Sequence, residues 1–120
     1  MKSIWKFTWE DYGISRNLRD ELKAFCKQYE EKKSKLNRQQ DTEFHEKYRK
    51  DIDNIEQSAI KANPDIYQYI IKSVSYGIPY ELVEYDRELG RIPVSRTIFY
   101  GYRRLFFYYL KQMQAENTGK

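Results

Sequence analysis

The sequence predicts an all-α fold of about five helices, and three observations carry that prediction. Charged residues make up 33% and hydrophobic residues 40% of the chain, with only five glycines and three prolines, a balance that disfavours a turn-rich sheet protein. Apolar residues recur at three-and-four spacing through most of the chain, the period of one helix face. Capping signals stand ahead of these stripes at Ser15, at Asn63-Pro64 and at Ser95. A length of 120 residues is enough for one modest core and too little for two, so residues 1–120 are expected to form a single domain.

Residues 1–14 carry Trp5, Phe7, Trp9, Tyr12 and Ile14, too many large side chains for a free tail, and are expected to dock on the helices as an extended aromatic arm. Residues 15–62 are expected to form a helical hairpin. Its first helix runs from the Ser15 cap to about Lys35, with Leu18, Leu22, Phe25, Tyr29 and Leu36 on one face. Its second runs from about Thr42 to Ala62 and buries Phe44, Tyr48, Ile52, Ile55 and Ala59. The polar stretch 37–42 between them reads as the connection, short enough for antiparallel packing.

Residues 63–114 read as three helices with helix-turn-helix character, and 115–120 as a tail. Asn63-Pro64-Asp65 starts the first of the three, because a capping side chain, a proline at the first helical position and an acid at the positive end of the dipole all favour it. Gly77 closes it. A helix from Pro79 to Gly90 is expected next, and the last begins near Arg96 behind the Ser95 cap. In that last helix Ile98, Phe99, Tyr102, Leu105, Phe106, Tyr109, Leu110 and Met113 form the buried stripe. Arg96, Tyr100, Arg103, Arg104, Phe107 and Lys111 share the opposing arc.

The net charge of +4 is unevenly spread: from Arg91 onward there are six cations and one acid, Glu116. A basic end on a nearly neutral remainder is the asymmetry of a face that meets phosphate. Double-stranded DNA is therefore the expected partner. Arg91, Ser95, Arg96, Thr97, Tyr100, Arg103, Arg104 and Lys111 are the expected DNA-binding residues, since arginine matches guanine with two parallel hydrogen bonds and hydroxyls bond phosphate oxygens. Phe107 and Tyr108, aromatic among charges, are the expected partner interface. A lone helix reads too few base pairs to specify a genomic site, so a homodimer or contact with RNA polymerase is implied. The alternative is a protein that binds a host or phage protein, or oligomerises, through the same face without nucleic acid.

Enzyme chemistry is not expected, and neither is a cofactor. His45 is the only histidine and lies far in sequence from the single cysteine, Cys26, too few ligands for zinc and no nucleophile pair. Asp51 and Asp53 point about 200° apart on a helix and read as solvated charges rather than a metal site. No glycine-rich phosphate loop occurs. One cysteine forbids an internal disulfide, and neither a secretory leader nor an apolar run of membrane-spanning length is seen, so a cytoplasmic protein without membrane contact is expected.

The segments Gly77-Ile-Pro-Tyr-Glu81, Ile92-Pro-Val-Ser-Arg-Thr-Ile-Phe-Tyr100 and Arg103-Arg104-Leu-Phe-Phe107 resemble small proteins of phages and prophages of Gram-positive bacteria. Among these are ArpU- and RinA-type late-gene transcription regulators, whose C-terminal part is similar to the DNA-reading region four of bacterial sigma factors. Asp11-Tyr-Gly-Ile14 and Leu22-Lys-Ala-Phe-Cys-Lys-Gln-Tyr29 resemble the opening of prophage proteins with the same ending. The resemblance implies a phage or prophage transcription regulator that binds DNA in the bacterial cytoplasm. The stretch from Gly90 to Ser95 departs from region four in being longer and in holding Pro93.

Overall fold

In the computed structural model, which describes residues 2–38 and 45–118, the chain is all-α, with a two-strand hairpin as its one sheet among the described residues. Among the described residues five α-helices follow in order: α1 (Arg16–Cys26), α2 (Tyr29–Arg38), α3 (His45–Ala62), α4 (Tyr67–Tyr76) and α5 (Arg96–Thr118). Strands β1 (Tyr85–Asp86) and β2 (Gly90–Arg91) pair antiparallel between α4 and α5. Helix α3 packs on α2, α4 and α5, and α5 on α1, α3 and α4. No helix among the described residues is long and apolar enough to cross a membrane.

Ser15 caps α1 as expected, its hydroxyl accepting the Leu18 N–H at 3.2 Å. The helix expected to continue to Lys35 is instead interrupted at Lys27 and Gln28. The reason is a change of partner. Leu22 and Cys26 are buried in the core, whereas beyond the break Tyr29 donates to Glu56 at 2.5 Å and Lys32 to Asp51 at 2.8 Å. A straight helix would carry Tyr29 and Lys32 away from α3. With 29 beside 56 and 32 beside 51, α2 and α3 run antiparallel, so the hairpin is real and its arms are α2 and α3. Ile52, Ile55 and Ala59 are buried as expected. The expected start at Thr42 and the burial of Phe44 lie outside the described residues.

Cys26 is fully buried, and its thiol is pushed well above its ordinary pKa, first of all by that burial. We expect it to stay silent towards a thiol-reactive dye in the native protein and to react stoichiometrically in guanidinium chloride. Rapid native labelling would mean that α1 does not seat as described.

Asn63 does initiate a turn, its side chain accepting the Asp65 N–H at 2.9 Å, but α4 proper begins only at Tyr67. It ends at Gly77, whose φ of +65° is left-handed and whose N–H bonds the Ser73 carbonyl. The helix expected from Pro79 to Gly90 is not formed. In its place stand a single 3₁₀ turn, Tyr80–Leu82, and the β1–β2 hairpin with Tyr85 opposite Arg91. Asp86 causes this, accepting the N–H groups of Glu88 and Leu89 at 2.9 Å each, a local alternative that competes with helical bonding. The Tyr69 hydroxyl holds the same turn through the carbonyls of Leu89 and Gly90. The stretch 63–114 therefore contains two α-helices and a hairpin, and the bracing helix of a region-four-like unit is missing.

The last helix starts as expected, with Ser95 accepting the Ile98 N–H at 3.4 Å. Phe99, Phe106 and Leu110 are fully buried. The N-terminal arm docks, though it is not extended throughout: a 3₁₀ turn at Ile4–Lys6 lies on α5, and Thr8 and Asp11 bond each other's backbone N–H groups. Gly101 makes this docking possible, since a Cβ there would sit 2.9 Å from the Trp5 Cα. Gly101→Val should accordingly lift the arm and destabilise the fold by about 1–3 kcal/mol, the usual cost of overpacking. Urea unfolding read through tryptophan fluorescence checks this, and an unchanged midpoint would contradict the docked geometry.

Candidate functional site

The residues expected to face DNA divide into three groups, set by where α5 meets the arm. At its N-terminal end Ser95, Arg96 and Thr97 are exposed, as is Arg91 on β2. Arg96 bonds Glu81 at 2.8 Å and lies 5.1 Å from the Tyr100 ring centre, and Arg91 lies 5.8 Å from that of Tyr85. The Arg96–Glu81 pair is solvent-exposed on both sides and contributes little to stability.

Further along, the expected free face is covered. Arg104 donates to the carbonyls of Phe7 at 2.9 Å and Trp5 at 3.2 Å, and Lys111 to those of Tyr12 and Gly13 at 3.0 and 3.4 Å. Phe107 is 1% exposed beneath Trp9, and Tyr108 is half-buried against Tyr12. Arg104 and Lys111 are therefore not free for a groove, and Phe107 is core rather than partner interface. The physical reason is that arm carbonyls with no helical or sheet partner need donors, and the cations of α5 supply them. Residue identity gives no warning of such bonds, because any residue contributes a carbonyl.

The third group leads to an unanticipated site. Arg103 is half-buried, donates to the Ser73 hydroxyl at 3.0 Å and stacks 5.0 Å from the Tyr100 ring centre. Ser73 in turn donates to the Ile78 carbonyl at 2.7 Å, and Tyr100 accepts the Tyr80 N–H at 2.9 Å. The guanidinium enters a recess of about 300 Å³ between α1, α4 and α5 that is also lined by Lys23 and Lys27, with no carboxylate in the lining. Burial, then the neighbouring Arg103 and Arg19, hold the Lys23 ammonium below its ordinary pKa. Burial likewise depresses Arg103.

Arg19, Lys23 and Lys27 follow one another at four-residue intervals, and Lys27, the C-cap of α1, keeps helical φ and ψ, so they form one row along α1 and its end. That row was legible in the sequence; what hid it was the even mixture of charges around it. Arg19 stacks on Trp9 at 4.5 Å, and it and Arg104 line a neighbouring hollow under the arm. Along the seam of α1 and α5, five cations thus stand in succession, accompanied by the acids Glu10 and Asp20.

Other cations are paired with carboxylates. Lys32 and Lys47 pair with Asp51, and Lys72 with Asp86. No group of three or more His, Cys, Asp or Glu side chains among the described residues is placed to hold a metal ion. No protein-family model, curated protein or solved structure matches this chain.

Proposed function

We propose that this chain is a non-enzymatic DNA-binding protein that grips the phosphate backbone along the α1–α5 seam, rather than by presenting the back of α5 to a groove. The observation that carries the reading is the convergence of Lys23, Lys27 and Arg103 on a recess without a carboxylate, in line with Arg19 on the same edge of α1. Half-buried positive charge is costly, Asp20 offsets it only in part at Lys23, and a polyanion relieves it further. The row from Arg19 to Lys27 spans about 12 Å of helix, the axial length of roughly three to four nucleotides on one strand. So short a footprint implies a second copy or contact with RNA polymerase for any genomic site. Resemblance of the C-terminal segments to late-gene regulators favours transcriptional control in a phage or prophage, and hence the bacterial cytoplasm.

If about three phosphates are neutralised, retention of a duplex should fall roughly 40-fold between 50 and 200 mM salt. Filter retention of labelled duplex at the two concentrations measures it, and a change under threefold would contradict phosphate contact. A second reading, binding to another protein without nucleic acid, draws on Leu82 and Tyr85, which are 65% and 68% exposed on the α4–α5 connection. It predicts the weak salt response.

A further inference from the structure

The recess at Arg103 has features that a track for duplex backbone does not require. Phosphates of a duplex lie on a convex cylinder, each bearing one negative charge, whereas this site is concave and brings three cations together. Its volume, about 300 Å³, is at the small end of ligand pockets. One wall is apolar, formed by Val74, Ile78, Pro79 and Phe107.

We propose that this recess is a seat for a phosphate monoester, with the dianionic phosphoryl group held by Lys23, Lys27 and Arg103 and the organic part resting on the apolar wall. This rests on the reading of the seam as phosphate-binding and names the ligand of its deepest point. The donors are in place. Arg103 is oriented by its bond to Ser73 and its stacking on Tyr100, so its remaining N–H groups are ordered before a ligand arrives. Lys27 is drawn to the rim because its chain crosses Gly77: a Cβ on that glycine would come within 2.8 Å of the Lys27 Cε. No hydrogen bond or ion pair to another described residue occupies the ammonium of Lys23 or Lys27. The Tyr100 hydroxyl accepts from the backbone, which leaves its own hydrogen for an incoming oxygen. Lys23, Lys27 and Arg103 carry three positive charges into one lining that holds no carboxylate, and a dianion offsets that charge more fully than a carboxylate does. The ester has two natural sources, a small phosphorylated metabolite or the 5′-terminal phosphate of a nucleic acid.

Calorimetric titration of the full chain with inorganic phosphate, phenyl phosphate and a single-stranded hexanucleotide with or without a 5′-phosphate tests the proposal. Phenyl phosphate should bind more tightly than inorganic phosphate, and Lys27→Gln, at an exposed position that leaves the melting temperature unchanged, should weaken both about tenfold. A 5′-phosphorylated hexamer at least tenfold tighter than its hydroxyl counterpart assigns the nucleic-acid source. Equal hexamers with retained phenyl phosphate binding assign the metabolite source. Absence of heat with both phosphates, or binding indifferent to Lys27→Gln and Lys23→Gln, overturns the proposal. Duplex retention is read separately: if it is lost while phenyl phosphate still binds, the DNA reading fails and the pocket stands.

Discussion

Phe107→Ala should lower the stability of the fold by about 3–5 kcal/mol, the range for removing a fully buried phenylalanine. The side chain is 1% exposed, lies 5.0 Å from Phe106 and 5.7 Å from Trp9 between ring centres, and lines the floor of the cationic recess. Its loss leaves a cavity where the arm, α5 and the recess meet. Equilibrium urea unfolding at unchanged m-value gives the number directly. An exposed aromatic kept for a partner would instead change stability by about 0.5 kcal/mol or less. A small effect would restore Phe107 to a surface role and remove the arm from the core.

The second large effect concerns charge. Reversing Lys23 and Lys27 together to glutamate should reduce duplex retention at 100 mM salt by a factor of at least about 100, because two attractive contacts become repulsive within one short row. Lys27 is exposed and Lys23 half-buried, and neither ammonium group is hydrogen-bonded to another described residue, so the melting temperature should move little. Retention that survives the reversal would place the phosphate contacts elsewhere on the molecule.

The all-α class, the arm, the caps at Ser15 and Ser95 and the closure at Gly77 were legible because each depends on neighbours in sequence. What misled was tertiary in origin. The break at Lys27 and Gln28 follows from Tyr29 and Lys32 turning to Glu56 and Asp51, which no local propensity encodes. The missing helix after Pro79 is a near miss of another kind. Leu82, Val83 and Leu89 suit a helical stripe, yet Asp86 and Gly90 (φ +84°) favour a turn, and Tyr69 from α4 settles the competition.

The site shows the same division. The basic and aromatic residues of α5 do share one arc, but most of that arc is covered. Arg104 and Lys111 are held by carbonyls about a hundred residues away in the chain, and Phe107 lies under Trp9. Of the expected DNA-binding residues, Tyr100 and Arg103 line the recess, and their companions Lys23 and Lys27 come from the end of α1 rather than from α5.

The most direct measurement is the salt dependence of duplex retention for two paired variants, Lys23→Gln with Lys27→Gln and Arg91→Gln with Arg96→Gln. If the seam holds the backbone, the first pair lowers the slope of log affinity against log salt by about two and the second leaves it within experimental scatter. A slope that drops only for the Arg91 and Arg96 pair would put DNA at the open end of α5 and contradict the seam.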